Sequence, residues 1–398
     1  MKIVGIVAEY NPFHKGHAYQ LQKVREIYGN DTAVVCVMSG DFVQRGEPAV
    51  FSKFARAEAA VRCGADLVIE LPLHYSVASA ERFADGAVSV LGRLGVVDHL
   101  VFGSETENCN LLERTAKVLS TKEFDETVKT ALETGCSYPA ARSMALRQLM
   151  DDVDITTTPN NNLGVEYIRA IHRHGFSMMP QPILRVGAMH DADYDGEMKS
   201  GSQLRRLLTD GNDIKDFVPE EAYDVYLREM KDGKGPVCLK NLESAMLSRL
   251  RMIPFDTYAR LPDAAEGLEH KLYKACRKET NLEKIYDTVK SKRYTHARIR
   301  RMVMCAVLGI TASDYEKDGL YARVLALNER GGRVLKLSEK LRNIEVISKP
   351  SAAREMSDER VALFCKAADA HDLYVLAYDN EMQRLGEADW VTSPIYIR

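Results

Sequence analysis

Two histidines three positions apart stand near the start of the chain, and their spacing suits them to bind phosphate oxygens. His14 and His17 flank Gly16. The apolar run at residues 3–8 predicts a buried strand before them, and a three- to four-residue period up to Tyr28 predicts an amphipathic helix after them. A helix N-terminus offers unpaired N–H groups and a positive dipole end, and a glycine lets a ligand approach the backbone. The stretch therefore predicts a phosphate site.

The histidine pair has two alternative interpretations. The pair can be half of a metal site, although the chain has no His-Glu-x-x-His pattern and no Cys-x-x-Cys pair. The histidines can also be ordinary surface residues. The strand and helix predicted on either side favour the phosphate site, because phosphoryl and nucleotidyl transfer depends on positioning and on electrostatic stabilisation.

Short apolar runs alternate with amphipathic stretches over about the first 105 residues. Three further strands are predicted at 32–38, 66–72 and 98–102, and helices at 51–63 and 77–94 lie between them. This alternation predicts an α/β fold, a doubly wound parallel sheet.

A polar, glycine-bearing loop at residues 39–48 follows the second predicted strand. Ligands of open α/β sheets bind beyond the carboxyl ends of the strands. Asp41, Gln44 and Arg45 are therefore candidate site residues, and an ordinary surface loop is the alternative.

Polar residues also stand beside predicted elements later in the first half. Asn160 precedes a helix, where its amide can cap the helix or read a base edge. Arg185 lies at or near the end of a short predicted strand. Ser200, Ser202 and Arg205 stand near a helix start and can hold phosphate oxygens, although Ser-x-Ser is also a common N-cap.

The composition bounds the class of protein. The chain has 398 residues, 45% hydrophobic and 28% charged, with a formal net charge of −3, which predicts two or three soluble globular domains. No apolar run approaches a membrane span, and no basic-then-apolar leader stands at the start. Eight scattered cysteines indicate reduced thiols, so we expect a cytoplasmic protein.

Helical patterns dominate after Pro219. We expect a boundary within residues 210–219, which divides the chain into a catalytic domain (1–212) and a mainly α-helical domain (219–398). The last 80 residues also predict two short strands, at 344–347 and 373–377, and a helix at 358–369. The other helices expected in this half lie at 220–230, 242–252, 264–277, 282–289 and 298–308.

A basic run at residues 290–301 contains no acid. A tyrosine and a histidine, which can stack on bases, interleave with cations that can hold phosphates, as in RNA-contact surfaces. A solvated helix face is the alternative. The candidate RNA-binding residues are Lys290, Lys292, Arg293, Tyr294, His296, Arg298, Arg300 and Arg301.

Taken together, six motifs resemble those of the bacterial tRNA(Met) cytidine acetate ligases, within the His-x-Gly-His nucleotidyltransferase superfamily. Their last hydroxyl motif, expected as Ser-Ala-Thr, is Ser-Gly-Ser here. The motifs are Glu-Tyr-Asn-Pro-Phe-His-x-Gly-His (9–17), Met-Ser-Gly-x-Phe-x-Gln-Arg-Gly-Glu-Pro (38–48), Gly-Ala-Asp-Leu-Val-Ile-Glu-Leu-Pro (64–72), Phe-Gly-Ser-Glu (102–105), Asn-Asn-Leu-Gly (161–164) and Lys-Arg-Tyr-Thr-x-x-Arg-Ile-Arg-Arg (292–301).

The resemblance implies a Rossmann-like nucleotidyltransferase fold and a two-step ligase reaction. Acetate attacks the α-phosphate of ATP to give acetyl-adenylate, and the acetyl group passes to N4 of the wobble cytidine of elongator tRNA(Met), forming N4-acetylcytidine. ATP is then the co-substrate and carries Mg²⁺ with it, while acetate and tRNA are the only partners implied. Neither a membrane nor a protein partner is implied.

The resemblance also assigns residues. His14 and His17 stabilise the transition state, Asp41, Gln44 and Arg45 face the acetyl or cytidine end, and the basic run holds the anticodon arm. The implied ATP-binding residues are Val7, Ala8, Glu9, Tyr10, Asn11, Pro12, Phe13, His14, Lys15, Gly16, His17, Ala18, Tyr19, Gln20, Gly103, Asn160 and Arg185, with Ser200, Ser202 and Arg205 on the β- and γ-phosphates.

Two rival functions stay open on sequence alone. One is a small-molecule nucleotidyltransferase, performing adenylyl or cytidylyl transfer, with a second half that serves only oligomerisation. The other is a non-catalytic RNA-binding protein with a relic pocket, although such a relic would have lost some of the phosphate-binding residues.

Overall fold

A computed structural model describes residues 1–150, 154–185, 198–265, 267–316 and 319–398. The strands are β1 (Ile3–Ala8), β2 (Ala33–Ser39), β3 (Phe42–Val43), β4 (Glu47–Pro48), β5 (Leu67–Leu71), β6 (His99–Ser104), β7 (Met179–Leu184), β8 (Tyr321–Leu327), β9 (Glu345–Ile347) and β10 (Ile395–Tyr396). The helices are α1 (Lys15–Tyr28), α2 (Lys53–Arg62), α3 (Leu73–Ser76), α4 (Ala80–Arg93), α5 (Cys109–Val118), α6 (Lys122–Glu133), α7 (Tyr138–Leu149), α8 (Pro159–His174), α9 (Gly201–Thr209), α10 (Glu220–Lys231), α11 (Leu239–Met252), α12 (Phe255–Ala259), α13 (Leu268–Lys278), α14 (Leu282–Val289), α15 (His296–Leu308), α16 (Glu329–Ser338), α17 (Asp358–Val375) and α18 (Ala388–Val391).

A mostly parallel sheet lies at the centre of the fold, in the order β10-β8-β5-β2-β1-β6-β7, with β9 also paired to β8. The chain winds outward from β1 in both directions, through β2 and β5 on one side and β6 and β7 on the other. The predicted doubly wound α/β fold is therefore confirmed. The point where the strand order reverses, beside β1, is where such sheets open a crevice for ligands.

The central strand β2 is apolar on both faces because helices cover both sides of the sheet. Val35 and Val37 pack into the core on the side of α4 and α8. Val34, Cys36 and Met38 alternate with them and pack on the side of α1, α2 and α10. This two-sided burial explains why β2 reads in the sequence as a continuous apolar run.

The second half builds its own helical core and then returns to the sheet. Helices α11 to α15 pack around a core that also includes part of α17. Strand β8 pairs antiparallel with β5, and β9 and β10 run parallel to β8. The sheet was expected in the first half, and β8 was not predicted, although its run Tyr-Ala-Arg-Val-Leu-Ala-Leu is rich in apolar residues. The division at 212–219 stays a prediction.

Several local predictions need correction. The strand expected at 373–377 is wrong, because α17 continues to Val375 and buries Tyr374 in the helical core. Helices α5, α6 and α7 form separately, and Thr121 caps α6 by accepting the N–H of Phe124. The loop 39–48 contains the short antiparallel hairpin β3–β4. The strand at 344–347 and the helix start at 358 are confirmed.

Candidate active site

The two histidines of the first motif occupy the N-terminus of α1, as their spacing predicts. His14 is the N-cap, and its Nδ1 accepts the backbone N–H of Gly16 at 3.0 Å. His17 Nδ1 accepts the backbone N–H of His14 at 3.3 Å. Because both Nδ1 atoms are acceptors, each neutral ring carries its proton on Nε2. The two rings stack with their centroids 3.8 Å apart, so they offer two adjacent N–H donors.

The surroundings keep both rings uncharged. Removal from water, with Arg185 and Arg205 nearby, lowers the pKa of His14 to about 3. Burial, then the neighbouring His14 and Arg185, lowers the pKa of His17 well below its ordinary value. Each neutral imidazole accepts a backbone N–H at Nδ1 and can donate from Nε2 to a phosphate oxygen, which suits charge stabilisation.

The turn before α1 is fixed by partners from distant parts of the chain. The buried guanidinium of Arg56 donates from Nη1 to the carbonyls of Glu9 and Ser39, so it joins the carboxyl ends of β1 and β2. Arg205 of α9 donates to the carbonyl of Asn11 at 2.8 Å. Tyr10 adopts a left-handed conformation, with φ 46°. This turn is therefore set by tertiary contacts, and its strained residue is typical of a functional site.

A hydrogen-bonded chain connects the ends of β6, α8 and β7. Glu105 accepts the side-chain N–H of Asn160 at 2.6 Å and the backbone N–H of Asn161 at 2.8 Å. Asn160 in turn accepts from Arg185 Nη1 at 2.6 Å. Thr158, the N-cap of α8, makes no side-chain capping bond, so Glu105 caps this helix from another element. Burial opposes its ionisation, but these hydrogen bonds prevail and hold the pKa of Glu105 below its ordinary value.

The last phosphate motif caps α9. Ser200 is the N-cap, forms a capping box with Gln203 and lines the same cavity as Ser202. A Cβ at Gly201 would lie 3.2 Å from the carbonyl oxygen of Asn11. The glycine that departs from the expected Ser-Ala-Thr pattern therefore permits close packing of α9 against the turn before α1.

One cavity of about 860 Å³ collects these groups. Its wall includes most of the first motif, Gly103, Asn160, Arg185, the α9 motif, Gln44 and Arg45, and the start of α15. Aromatic and aliphatic side chains such as Phe83, Phe102 and Tyr167 line it as well. Among the described residues of the wall, six are cationic and three are acidic: Arg45, Arg185, Lys199, Arg205, Arg300 and Arg301, and Glu9, Glu47 and Glu105. This positive excess suits a polyanionic ligand.

Several predicted residues do not line the cavity. Asp41 is buried, with Oδ2 2.8 Å from His371 Nδ1 and Oδ1 accepting the N–H of Lys53. Asp41 therefore belongs to a buried ion cluster, and its expected contact with acetate or cytidine stays a prediction. Pro12, Phe13, Lys15 and Ala18 of the implied ATP site do not line the cavity, nor do Lys290, Lys292, Arg293, Tyr294 and Arg298 of the basic run.

The structure adds site residues that the sequence analysis did not select. Glu105 and Glu47 lie inside quoted motifs, but their roles depend on Asn160 and Arg300, which are distant in the chain. Tyr167 and Lys199 had no sequence signal beyond their proximity to a motif. Among the described residues no group of three or more histidine, cysteine or acidic side chains could hold a metal ion.

The comparisons with known proteins agree with this geometry. The family model of the HIGH Nucleotidyl Transferases matches residues 1–389. The tRNA(Met) cytidine acetate ligase of Thermosipho africanus is 35% identical, and the match covers 100% of both chains. The ligase of the same name from Thermotoga maritima is 34% identical, with 98% of this chain and 99% of that one covered. The chain belongs to the tRNA(Met) cytidine acetate ligase family.

Solved structures of this family share the whole fold. The crystal structure of Thermotoga maritima TmcAL bound with alpha-thio ATP superposes with a TM-score of 0.93 at 34% identity, and the apo form with 0.95 at 34%. Both matches cover 100% of each chain.

In the described part of this chain, every helix is too short or too polar to cross a membrane.

Proposed function

We propose that this chain is an ATP-dependent ligase that acetylates N4 of the wobble cytidine in elongator tRNA(Met). The observation that carries the proposal is the shared cavity: the stacked Nε2–H donors of His14 and His17 line it together with the first turns of the basic helix α15. A nucleotide and an RNA base can therefore reach one space. The proposed reaction is the one for which the family of this chain is named.

In the first step a carboxylate oxygen of acetate attacks the α-phosphorus of ATP, and the bond to the β-phosphate breaks. The products are acetyl-adenylate and pyrophosphate. His14 and His17 donate to the oxygens on which charge accumulates, and Arg185 and Arg205 offset the charge of the leaving pyrophosphate. Preorganised donors of this kind are worth roughly 10²- to 10³-fold in rate each.

Phosphate oxygens also meet the start of α9. Its N-terminal N–H groups and Ser202 face the cavity, where a helix N-terminus favours anions. Mg²⁺ would arrive on the phosphates of ATP, which supply its oxygen ligands. The residues of this chain then hold the triphosphate, and the ion neutralises part of its charge.

In the second step the N4 amine of the cytidine attacks the acetyl carbonyl carbon. The acyl–phosphate bond breaks, AMP leaves, and the amine loses one proton, so the products are N4-acetylcytidine, AMP and a proton. The exposed cations before α15, Lys290, Lys292 and Arg293, would hold phosphates of the anticodon arm. A wobble base is unpaired, so it can be turned out of its loop into the cavity.

The test measures pyrophosphate release from ATP, with and without acetate and with and without bacterial tRNA, followed by nucleoside mass analysis of the tRNA. We expect acetate-dependent release and acetylated cytidine. Release that ignores acetate and requires a phosphorylated acceptor would favour a small-molecule nucleotidyltransferase. Tight tRNA binding with no release would favour a non-catalytic RNA-binding protein.

A further inference from the structure

The cavity has one wall that ATP activation leaves without a role, formed by the β3–β4 turn and the first turns of α15. Glu47 of the hairpin and Arg300 of the helix meet there, with Oε1 and Nη1 2.8 Å apart. Both line the cavity and are partly open to it, with side-chain exposures of 28% and 33%. The second carboxylate oxygen of Glu47 and Nη2 of Arg300 form no hydrogen bond within the described ranges. The pair therefore keeps an acceptor and a donor for a ligand.

Backbone packing fixes the geometry of this pair. Gly46, between the two strands of the hairpin, has φ +75°, and a Cβ there would lie 2.8 Å from the carbonyl carbon of Arg300. The turn thus lies directly on the backbone of α15, which only glycine permits. The guanidinium of Arg300 also lies over the ring of Tyr286, 5.6 Å from its centroid. Acceptor and donor are held side by side before any ligand binds.

A carboxylate beside a guanidinium complements one kind of base edge. Cytosine presents an amine donor next to two acceptors, its ring N3 and its O2, whereas uracil presents an acceptor and a ring N–H donor at the first two positions. Carboxylates accept from the cytosine amine, and guanidiniums donate to base acceptors. One N4–H can stay bonded to Glu47 while the other proton leaves during acylation.

We propose that Glu47 and Arg300 read the Watson–Crick edge of the acceptor base and select cytosine over uracil. Arg301 also lines the cavity, and the terminal nitrogens of its guanidinium add further donors to this subsite. The inference rests on the proposed function, because it places the acceptor base of that reaction. The competing hypothesis is an ion pair that only fastens the hairpin to the helix.

A charge swap separates the two hypotheses. Glu47→Arg combined with Arg300→Glu restores an ion pair across the same gap but exchanges donor and acceptor. An ion pair that only fastens the hairpin to the helix would tolerate this exchange. A pair that recognises the base would lose its selectivity, because its donor and acceptor have changed places. If the chain with both substitutions does not fold, Glu47→Gln serves as the second variant, because it keeps the size of the side chain and should fold. Glu345→Gln is the matched control, because it breaks a partly exposed pair with Arg360 (3.5 Å) away from the cavity.

The experiment compares two rates for each variant, acetate-dependent ATP–pyrophosphate exchange and acetyl transfer to tRNA(Met) transcript. It also measures inhibition of transfer by a transcript with uridine at the wobble position. In Glu47→Gln and in the swap, we expect the rate of acetyl transfer to fall far more than the rate of exchange. We also expect the preference for cytidine over uridine to fall roughly 5- to 100-fold.

Two results would overturn the inference: full transfer and an unchanged preference in the swap, or a loss in Glu47→Gln that is equal for exchange and transfer. Failure of the proposed function is distinct, because the unmodified protein would then show no acetate-dependent exchange and no acetylated cytidine. The control Glu345→Gln should match the unmodified protein in both rates.

Discussion

The hydroxyl of Tyr226 accepts the backbone N–H of Phe13 at 2.8 Å, although the two residues are 213 positions apart. Both side chains are fully buried, and the ring of Tyr226 stacks on Phe51 with centroids 4.4 Å apart. A helix of the second half thus holds the turn that carries His14 and His17. The position of the first motif depends on α10.

Removal of this hydroxyl should weaken the fold and the site together. Tyr226→Phe keeps the stacked ring but leaves the N–H of Phe13 buried without its acceptor, so we expect a loss of about 1–3 kcal/mol in the free energy of unfolding. Urea denaturation measures the loss. Tyr223→Phe on the same helix is the control, because its hydroxyl bonds the exposed Asp213. Equal stability of the two variants would contradict the prediction.

Replacement of His17 should affect chemistry more than binding. His17→Ala removes one N–H donor that is aimed at developing charge, so we expect acetate-dependent pyrophosphate release to fall roughly 10²- to 10³-fold in kcat with a smaller change in the KM for ATP. His172→Ala serves as the control, because this exposed histidine lies outside the cavity. A full rate in His17→Ala would end the catalytic interpretation.

The lowered pKa of His14 predicts an acid-dependent loss of stability. An unfolded histidine takes up a proton below pH 6.5, whereas folded His14 does so only near 3. Its contribution is therefore present above pH 6.5 and declines as the pH falls. His14→Asn keeps an N-cap acceptor but does not titrate. Between pH 7 and 5 the unmodified protein should lose about 1–2 kcal/mol relative to this variant. A constant difference in unfolding free energy across that range would contradict the assignment.

Glu105 should act on ATP binding through Asn160 and Arg185. Glu105→Gln places a second amide donor near the N–H groups of α8, which disturbs Asn160 and hence Arg185. We expect the KM for ATP to rise about tenfold, with a smaller change in kcat, in pyrophosphate-exchange kinetics. Glu107→Gln, in the exposed loop nearby, is the control. If both variants keep the original KM, the chain from Glu105 to Arg185 is not needed to hold the nucleotide.

Asp41 should be essential to stability. Its neighbours Lys53 and His371 are buried, and although burial opposes the charge of His371, the carboxylate of Asp41 raises the pKa of that histidine. Lys53 would keep its ion pairs with Glu70 and Asp389 in Asp41→Ala. The variant would still leave His371 and the backbone N–H of Lys53 without this carboxylate, at a cost of about 3–5 kcal/mol in unfolding free energy. Thermal denaturation tests this, with Asp31→Ala at the exposed N-terminal ion pair as the control. An unchanged melting temperature with lost transfer would return Asp41 to the acceptor site.

Much of the first half could be predicted because its signals are local. The strand–turn–helix around Gly16 and the Ser200 cap depend on neighbours in the sequence. Helix α8 was also expected, but it begins at Pro159 and includes Asn160, which was predicted to precede it. The His-x-Gly-His spacing also indicated that His14 and His17 lie at the start of α1, where both line the cavity. Arg185 and Arg205 were found through the resemblance, and the cavity brings them to the same wall.

The remaining features depend on contacts that spacing does not encode. Asp41 is a charged residue in a polar loop, which is why it was predicted to be a site residue. Its partner in the structure, His371, lies 330 positions later in the chain. Glu105 becomes a helix cap only because β6 ends beside α8. Strand β8 was missed because its partner, β5, lies about 250 residues earlier and runs in the opposite direction.

The late arrival of β8 has a consequence for synthesis on the ribosome. Until residues 321–327 emerge, β5 is the unpaired edge of the sheet, with Leu67 and Ile69 facing an empty neighbouring position. Such an edge invites pairing with other chains. The nascent first half should therefore require protection until the last quarter of the chain is made, and a fragment ending near residue 212 should aggregate.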